Sequence, residues 1–259
     1  MAYALITGAS GGIGFALAKE LASLKHDVLL VARSADLLKR NCDDLKRQFG
    51  VNAAFLTTDL AQPNAVEMVQ DWIQKNHFDI DILINNAGFA SWGPLKELPM
   101  SEIQGMMALN MNTLAGLSKI LIPNLEQHPR AYIMNVSSTA AYQAVPTLST
   151  YAATKAFVLL FTRGLKWELK GTNISVSCLS PGPTSTGFID RANLGMMKEK
   201  AEKFSMKPEQ VAKIAVKGMF AGKAEIIPGA VNWISAKFAE LVPKVLTEKI
   251  AMNLYKVDR

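Results

Sequence analysis

Cysteine and histidine are scarce in this sequence, and their scarcity argues against a metal site and against a disulfide framework. The 259 residues include two cysteines, Cys42 and Cys178, and three widely separated histidines, His26, His77 and His128. Neither set has the spacing of metal ligands, so we expect no metal in the functional site. Two isolated cysteines also give no basis for a disulfide framework, and this composition is typical of a reducing, cytoplasmic compartment.

Long apolar runs are also missing. The first residues, MAYALITGAS, contain no basic region followed by an apolar segment, so we expect no signal peptide. The most apolar later stretch, residues 114–123, contains Ser118 and Lys119 and ends at Pro123. Such a stretch is too short and too polar to cross a bilayer, and we therefore expect no transmembrane segment.

Neither sign of charge dominates the sequence. The net charge is +6, and the densest basic stretch, residues 39–47, is interrupted by Asp43 and Asp44. That pattern is typical of a solvated helix face and does not indicate nucleic acid as a partner. Hydrophobic residues make up 49% of the chain, which is enough to build a sizeable core.

Short apolar runs alternate with longer amphipathic segments along the chain. Strands separated by helices pair in parallel through crossovers, and strands that are apolar throughout have both faces covered. The sequence therefore predicts a single α/β domain over residues 1–259, with a doubly wound, Rossmann-type parallel sheet of about seven strands. The predicted strands are residues 3–7, 27–33, 52–60, 80–88, 131–138, 173–182 and 224–229. The predicted helices include residues 12–25, 35–49, 63–76, 150–170 and 208–221.

Two segments depart from this alternation. Residues 183–207 contain TSTGF, three methionines and several lysines, and we interpret them as a substrate lid. Residues 231–259 are predicted to form helices appended after the sheet, interrupted at Pro243. These helices either pack on their own domain, which is the favoured reading, or bind a membrane or a partner subunit.

The segment ITGASGGIG, residues 6–14, joins the first predicted strand to the first predicted helix. The N–H groups of such a turn suit a phosphate, and glycine lets the phosphate approach the backbone. The spacing Gly8, Gly12, Gly14 differs from the G-x-G-x-x-G fingerprint, and a plain tight turn is the alternative. The position of the segment between the first strand and the first helix favours a dinucleotide site.

The end of the second strand indicates which dinucleotide is preferred. An acidic residue there would bind the ribose 2′-hydroxyl, whereas an arginine would accommodate a 2′-phosphate. The strand ends at Arg33, and the nearest acid, Asp36, is expected in the first turn of a helix that Ser34 can cap. The sequence thus predicts NADP(H) as the preferred cofactor and NAD(H) as the less favoured one.

The segment STYAATK carries Tyr151 and Lys155 four positions apart, which places both on one face of a predicted helix. A neighbouring cation lowers the pKa of a phenol. Such a phenol can exchange a proton with a carbonyl or alcohol oxygen. Because tyrosine–lysine pairs are common on helices, this interpretation depends on the glycine turn and on the serine-rich strand end at residues 135–138.

The sequence resembles the classical short-chain dehydrogenases/reductases over nearly its whole length, on motifs that occur in the family's order. These motifs are TGASGGIG at 7–14, DL at 59–60, NNAG at 85–88, Asn110, Ser138, YAATK at 151–155 and PGPTST at 181–186. The resemblance implies that Tyr151 is the general acid/base and that Lys155 assists it and holds the nicotinamide ribose. It implies that Asn110 positions Lys155 through a water. Ser138, rather than Ser137, is implied to bind the substrate oxygen, since adjacent strand residues face opposite ways.

The glycine turn, the second strand and the resemblance together give a set of predicted cofactor-binding residues. Asn86 either contacts the cofactor or ties adjacent strands together. The set is Gly8, Ser10, Gly12, Ile13, Gly14, Arg33, Ser34, Asp59, Leu60, Asn86, Ala87, Gly88, Tyr151, Lys155, Pro181, Gly182, Thr184 and Thr186. The candidate substrate residues are Phe89, Trp92, Ala140 and Phe188, in loops whose apolar character favours an apolar carbonyl or alcohol as substrate.

The implied activity is NADPH-dependent reduction of a carbonyl to an alcohol, or the reverse. Two alternatives stay open: a regulator that binds NAD(P)H without turnover, and an epimerase or dehydratase on the same scaffold. The resemblance also implies a homodimer or homotetramer.

Overall fold

The computed structural model describes residues 2–186 and 205–254. In these ranges seven strands form one sheet in the order β3-β2-β1-β4-β5-β6-β7, with every neighbouring pair parallel. This order confirms the predicted doubly wound sheet. The strands are β1 (Tyr3–Thr7), β2 (Asp27–Ala32), β3 (Ala53–Thr57), β4 (Ile80–Asn85), β5 (Ala131–Val136), β6 (Ile174–Leu179) and β7 (Glu225–Ile226). Most of the candidate lid, including Phe188, lies outside the described residues.

Helices connect the strands and cover both faces of the sheet. A π-helical turn at Ala108–Thr113 links two of them, and 3₁₀ turns lie at Leu95–Glu97 and Thr139–Tyr142. The α-helices are α1 (Gly12–Ser23), α2 (Ala35–Phe49), α3 (Ala65–Lys75), α4 (Met100–Met107), α5 (Leu114–Leu125), α6 (Ser149–Glu168), α7 (Pro208–Phe220), α8 (Ala230–Leu241) and α9 (Lys244–Leu254).

Six of the seven predicted strands extend beyond the observed ones at their carboxyl ends. The strands end at Ala32, Thr57, Asn85, Val136, Leu179 and Ile226, whereas the predicted strands continue for one to three further residues. Those further residues leave the sheet at its carboxyl edge and form loops. In the connection from β3 to α3, Pro63 precedes the N-cap of α3 at Asn64 instead of lying in the first turn of the helix.

The core consists of two apolar layers, one on each face of the sheet. Ala4 and Ile6 of β1 face the layer built by α1, α2 and α7, and Leu5 faces the layer built by α3, α5 and α6. All three side chains are fully buried. Burial of each large apolar side chain contributes about 1.5–3 kcal/mol, so these layers fix the positions of the strand ends.

Two helices, α8 and α9, follow the sheet, and Pro243 lies between them. Helix α8 packs on the rest of the fold through Ala236 and Ala239, which are buried with Tyr142 and Cys178. Among the described residues, no helix combines the length and the apolar character that a bilayer span requires.

Candidate active site

A cleft of about 580 Å³ opens at the carboxyl edge of the sheet. It lies where the strand order reverses between β1 and β4, the place at which doubly wound sheets bind their ligands. Its walls are the glycine turn, the segments that follow β4, β5 and β6, the first turns of α6, and one side of α8.

The glycine turn has a shape that requires its glycines. Gly8 and Gly12 have φ angles of +68° and +55°, in the left-handed region that side chains disfavour. At Gly14 an added Cβ would lie 2.4 Å from the carbonyl oxygen of Gly8 and 2.5 Å from Nδ2 of Asn86. Helix α1 therefore begins in direct contact with the turn, and its N-terminus opens into the cleft.

The turn and the end of β2 present groups that suit an anion. The N–H groups of Gly12, Ile13 and Gly14 begin α1 and have no acceptor within the helix. Arg33, just beyond β2, is exposed and forms no ion pair within residues 2–186 and 205–254. Helix N-termini and guanidinium groups both favour phosphate, so the cleft fits the phosphates of a dinucleotide.

Asn86 ties the turn to β4. Its Nδ2 donates to the carbonyl oxygens of Thr7, at 2.9 Å, and Gly8, at 3.3 Å, and its backbone N–H donates to Oγ1 of Thr7 at 2.9 Å. This is the scaffolding role that the sequence allowed. The side chain also lines the cleft, where it lies next to Ala87 and Gly88.

The two serines after β5 are held differently. Ser137 donates from Oγ to the carbonyl oxygen of Lys155 at 2.7 Å, so its hydroxyl fastens α6 to β5. Ser138 caps the following 3₁₀ turn, where its Oγ accepts a hydrogen bond from the N–H of Ala140 at 3.1 Å. An accepted bond leaves the hydroxyl proton of Ser138 available for donation inside the cleft, which Ser138 lines.

Tyr151 and Lys155 lie in the first two turns of α6, and both line the cleft. Nζ of Lys155 is 5.8 Å from the centroid of the Tyr151 ring and donates to the carbonyl oxygen of Val136 at 2.9 Å. Only 4% of the Lys155 surface is exposed. Burial lowers the pKa of the Lys155 ammonium from 10.5 to about 8.

Asn110 lies in the π-helical turn and is buried. Its Oδ1 accepts from the N–H of Phe89 at 3.1 Å, and its Nδ2 donates to the carbonyl oxygen of Phe89 and to Oγ1 of Thr154, both at 3.0 Å. A Cβ on Gly88 would lie 3.0 Å from Oδ1 of Asn110 and 3.2 Å from Nζ of Lys155. Asn110 therefore joins the segment after β4 to α6 and borders the ammonium group.

Comparison with known proteins identifies the family. A sequence model described as short chain dehydrogenase matches residues 2–196. The chain belongs to the short-chain dehydrogenase family. This membership confirms the predicted oxidoreductase class, which acts on keto and hydroxyl groups.

Similar proteins include two reductases. The ketoacyl reductase HetN of Nostoc sp. is 30% identical over 86% of this chain and 77% of its own length. The very-long-chain 3-oxoacyl-CoA reductase of Anas platyrhynchos is 31% identical over 70% of this chain, and the match spans 59% of the duck protein.

Solved structures of similar shape include two NADPH complexes. A short-chain dehydrogenase from Sphingobium yanoikuyae in complex with NADPH has a TM-score of 0.82 and 30% identity, covering 92% of this chain and 93% of that one. The L-sorbose reductase of Gluconobacter frateurii, complexed with NADPH and L-sorbose, has a TM-score of 0.78 and 26% identity, covering 87% of this chain and 94% of that one.

Most of the predicted cofactor residues of this dehydrogenase line the cleft, and four do not. Arg33, Ser34, Asp59 and Leu60 stand outside the lined surface. Ser34 is at the N-cap of α2, but its hydroxyl makes no capping hydrogen bond within the described residues, so the predicted cap was wrong. The side chain is solvent-exposed, and only its carbonyl joins the helix, accepting from Leu38. The residues that line the cleft are Gly8, Ser10, Gly12, Ile13, Gly14, Asn86, Ala87, Gly88, Tyr151, Lys155, Pro181, Gly182, Thr184 and Thr186.

The candidate substrate residues are divided between the cleft and its supporting core. Ala140 lines the cleft, next to Val145 and Leu148. Phe89 and Trp92 instead lie in the apolar cluster behind this wall, which also contains Tyr151.

Helix α8 supplies a wall of the cleft that the sequence did not reveal. Asn232, Ser235, Ala236 and Ala239 line the cleft, and Oδ1 of Asn232 lies 2.3 Å from where a Cβ on Gly182 would be. Gly182 of the PG motif was the one sequence signal of this contact, because glycine often occurs where another group lies too close to the backbone for a side chain.

Ion pairs hold α8 in this position. Arg163 of α6 donates to Glu225 of β7 at 2.8 Å and to Glu240 of α8 at 2.9 Å. Lys237 of α8 lies 2.7 Å from Glu240. Tyr142, in the 3₁₀ turn after Ser138, donates to Glu225 at 2.6 Å, which connects the α8 wall to the serine segment.

The buried ammonium of Lys155 predicts a pH dependence of stability. Because its folded-state pKa of about 8 lies below the usual 10.5, the unfolded chain binds more protons between these values. The contribution of Lys155 to the free energy of unfolding therefore rises with pH across that interval, by about 3 kcal/mol in total. We therefore expect the free energy of unfolding of the wild type, relative to that of Lys155→Met, to rise in the same way when both are measured by urea unfolding from pH 7 to pH 10.

Lys119→Met is the matched control, because Lys119 is an exposed lysine on α5. Its difference from the wild type should stay flat over the same pH range. Parallel curves for the wild type and Lys155→Met would contradict the assignment of a depressed pKa to Lys155.

Proposed function

We propose that this dehydrogenase reduces a carbonyl to an alcohol with NADPH, and catalyses the reverse reaction, with Tyr151 as the proton donor and acceptor. One observation carries the proposal: the phenol of Tyr151 and the buried ammonium of Lys155, 5.8 Å from its ring, line the same cleft as the glycine turn. The similarity to two reductases of oxo groups, and to two structures with NADPH, supports it.

The residues that would hold the cofactor are the glycine turn, Arg33, the segment after β4 and Lys155. NADPH, when bound, supplies a hydride, and the protein supplies position and electrostatics. Gly88 lacks a Cβ beside the Lys155 ammonium, which leaves the inner wall of the cleft open to the nicotinamide end.

Ser138 stabilises the charge that grows on the substrate oxygen. Because Oγ of Ser138 accepts from the N–H of Ala140, the oxygen is held in place and its own O–H is available as a donor to the substrate. A donor group that is in place before the reaction stabilises the developing charge without any rearrangement of the protein. Stabilisation of this kind makes a large contribution to the rate enhancement of enzymes.

Tyr151 completes the reduction by giving its phenolic proton to the same oxygen. The phenolate that remains is stabilised by the positive charge of Lys155, because the two groups are close and shielded from water. Asn110 acts through other groups: it fixes the backbone of Phe89 and the first turns of α6, so that Gly88 and Lys155 keep their places.

The wall beside Tyr151 favours an apolar small-molecule substrate. Ala140, Val145 and Leu148 face the cleft there, and Ala236 and Ala239 on α8 are small. A wall of this composition binds apolar groups by excluding water, while Gln143 and Ser235 provide polar contacts at its edge. Self-association as a homodimer or homotetramer and a cytoplasmic location stay predictions.

Arg33 sets the cofactor preference in this proposal. The guanidinium pairs with the 2′-phosphate, a group that NADH lacks. Arg33→Ala should therefore raise the Kd for NADPH about tenfold or more and leave the Kd for NADH within about twofold, as measured by isothermal titration calorimetry. Arg47→Ala is the control, because Arg47 is paired with Asp44 near the far end of α2. Equal losses for the two cofactors in Arg33→Ala would remove Arg33 from the phosphate site.

A spectrophotometric screen of the purified protein with NADPH and a panel of ketones, oxoacyl thioesters and steroid ketones tests the activity itself. Consumption of NADPH by apolar carbonyls supports the reductase. Cofactor binding without turnover would favour a regulator. A tightly retained cofactor without net consumption would favour an epimerase or dehydratase.

A further inference from the structure

Asn41 is a buried polar residue on the core face of α2. Only 5% of its surface is exposed, and its buried neighbours on the helix are Leu38, Cys42 and Leu45. A buried amide is costly unless it is hydrogen-bonded. Nδ2 of Asn41 donates to the carbonyl oxygens of Ala9, at 3.1 Å, and Ser10, at 3.2 Å, both in the glycine turn.

These two hydrogen bonds fix the direction of two peptide groups. In a trans peptide the N–H points away from the carbonyl oxygen of the preceding residue. Since the carbonyls of Ala9 and Ser10 point to Asn41, the N–H groups of Ser10 and Gly11 point away from α2, to the cleft that both residues line. Within the described part of the chain, neither N–H has a hydrogen-bond acceptor.

The same part of the turn runs past the end of β2. The N–H groups of Gly8 and Ala9 donate to the carbonyl oxygen of Val31, at 2.7 and 3.5 Å, and Arg33 follows two residues later. The turn that carries Ser10 and Gly11 and the exposed Arg33 therefore both lie at the carboxyl end of β2, and the turn's unpaired N–H groups point into the cleft there. Successive N–H groups and a guanidinium form a site for a phosphate ester.

We propose that Asn41 is a positioning residue for cofactor choice: it orients the N–H groups of Ser10 and Gly11 so that they bind, with Arg33, the 2′-phosphate of NADPH. The inference rests on the proposed use of NADPH and extends it to a side chain that does not line the cleft. An alanine or leucine at this position would leave the two carbonyls without a donor and the peptide groups free to rotate.

The test compares Asn41→Leu, which keeps the branching at Cγ but removes the amide, and Asn41→Ala with the wild type. The Kd values for NADPH, NADH and 2′-AMP are measured by calorimetry, and the melting temperature is recorded for each protein. We expect Kd for NADPH and for 2′-AMP to rise about fivefold in both variants, and Kd for NADH to change by less than about twofold. Cys42→Ser is the control, since it disturbs the neighbouring buried position on α2 and should lower the melting temperature without changing the NADPH-to-NADH ratio.

Unchanged binding of NADPH and 2′-AMP in both asparagine variants would overturn the inference. So would an equal rise in Kd for NADPH and NADH, because a merely structural loosening of the turn would affect the part that both cofactors share. A wild-type protein that binds neither dinucleotide would overturn the proposed function as well. If the wild type binds NADPH tightly and both asparagine variants bind it equally well, the positioning role of Asn41 fails and the proposed function stands.

Discussion

Tyr151→Phe is expected to lower kcat about a thousandfold while leaving the Kd for NADPH within about twofold. Phenylalanine keeps the ring that packs against Ala152, Leu148 and their neighbours, so the wall of the cleft should survive. What is lost is the proton that the substrate oxygen must receive. Steady-state kinetics with the best carbonyl of the panel, together with calorimetry of NADPH binding, measures both quantities.

Tyr132→Phe provides a matched control for this variant. Both tyrosines have 8% of their surface exposed, but Tyr132 lies on β5 and packs edge-on against Phe220, with ring centroids 5.0 Å apart. Its kcat should match that of the wild type. A Tyr151→Phe variant that retained a tenth or more of the wild-type kcat would show that another group supplies the proton.

Gly14→Ala is expected to destroy dinucleotide binding, with a Kd for NADPH at least about a hundredfold higher. The added Cβ would meet the carbonyl oxygen of Gly8 at 2.4 Å, and neither this backbone nor the hydrogen-bonded Asn86 can move without opening the turn. Overpacking of this kind costs about 3 kcal/mol, so the free energy of unfolding should fall as well. Urea unfolding and calorimetry give the two values.

Gly164→Ala is the control, because it also places a methyl group on a helix. Within the described residues nothing lies within 4 Å of a Cβ at Gly164, and alanine favours a helix over glycine by about 1 kcal/mol. That variant should be equally or more stable and should bind NADPH normally. Normal NADPH binding by Gly14→Ala would contradict the close packing of α1 on the turn.

The sheet could be predicted because its strands are apolar throughout and helices separate them. The strand ends could not, because polar residues such as Asn86 and Ser138 directly follow the apolar runs, and their type alone does not show whether they still pair in the sheet. Whether a residue still pairs in the sheet depends on the length of its neighbouring strand. These loops form much of the cleft. The sequence therefore identified the motif residues but not the residues that surround them in the cleft.

The cleft walls from α8 and the contact of Asn41 with the turn were not predicted, for a shared physical reason. Asn232 contacts Gly182, and Asn41 contacts Ala9 and Ser10. These partners are far apart in the chain, and the local hydrophobic pattern of a sequence gives no information on such contacts. Asn41 also stands in a stretch of alternating charges that indicates a solvated helix face. Only the packing of α2 against the turn shows that this position is buried.

Transfer of a deuterium label tests the central claim most directly. Wild type and Tyr151→Phe are each given an apolar ketone and NADPH that carries deuterium at the transferable position of the nicotinamide, and the product is followed by mass spectrometry. The proposal predicts an alcohol with deuterium on the former carbonyl carbon, formed by the wild type about a thousandfold faster than by the variant. Equal rates in the two proteins, or an alcohol without the label, would contradict it.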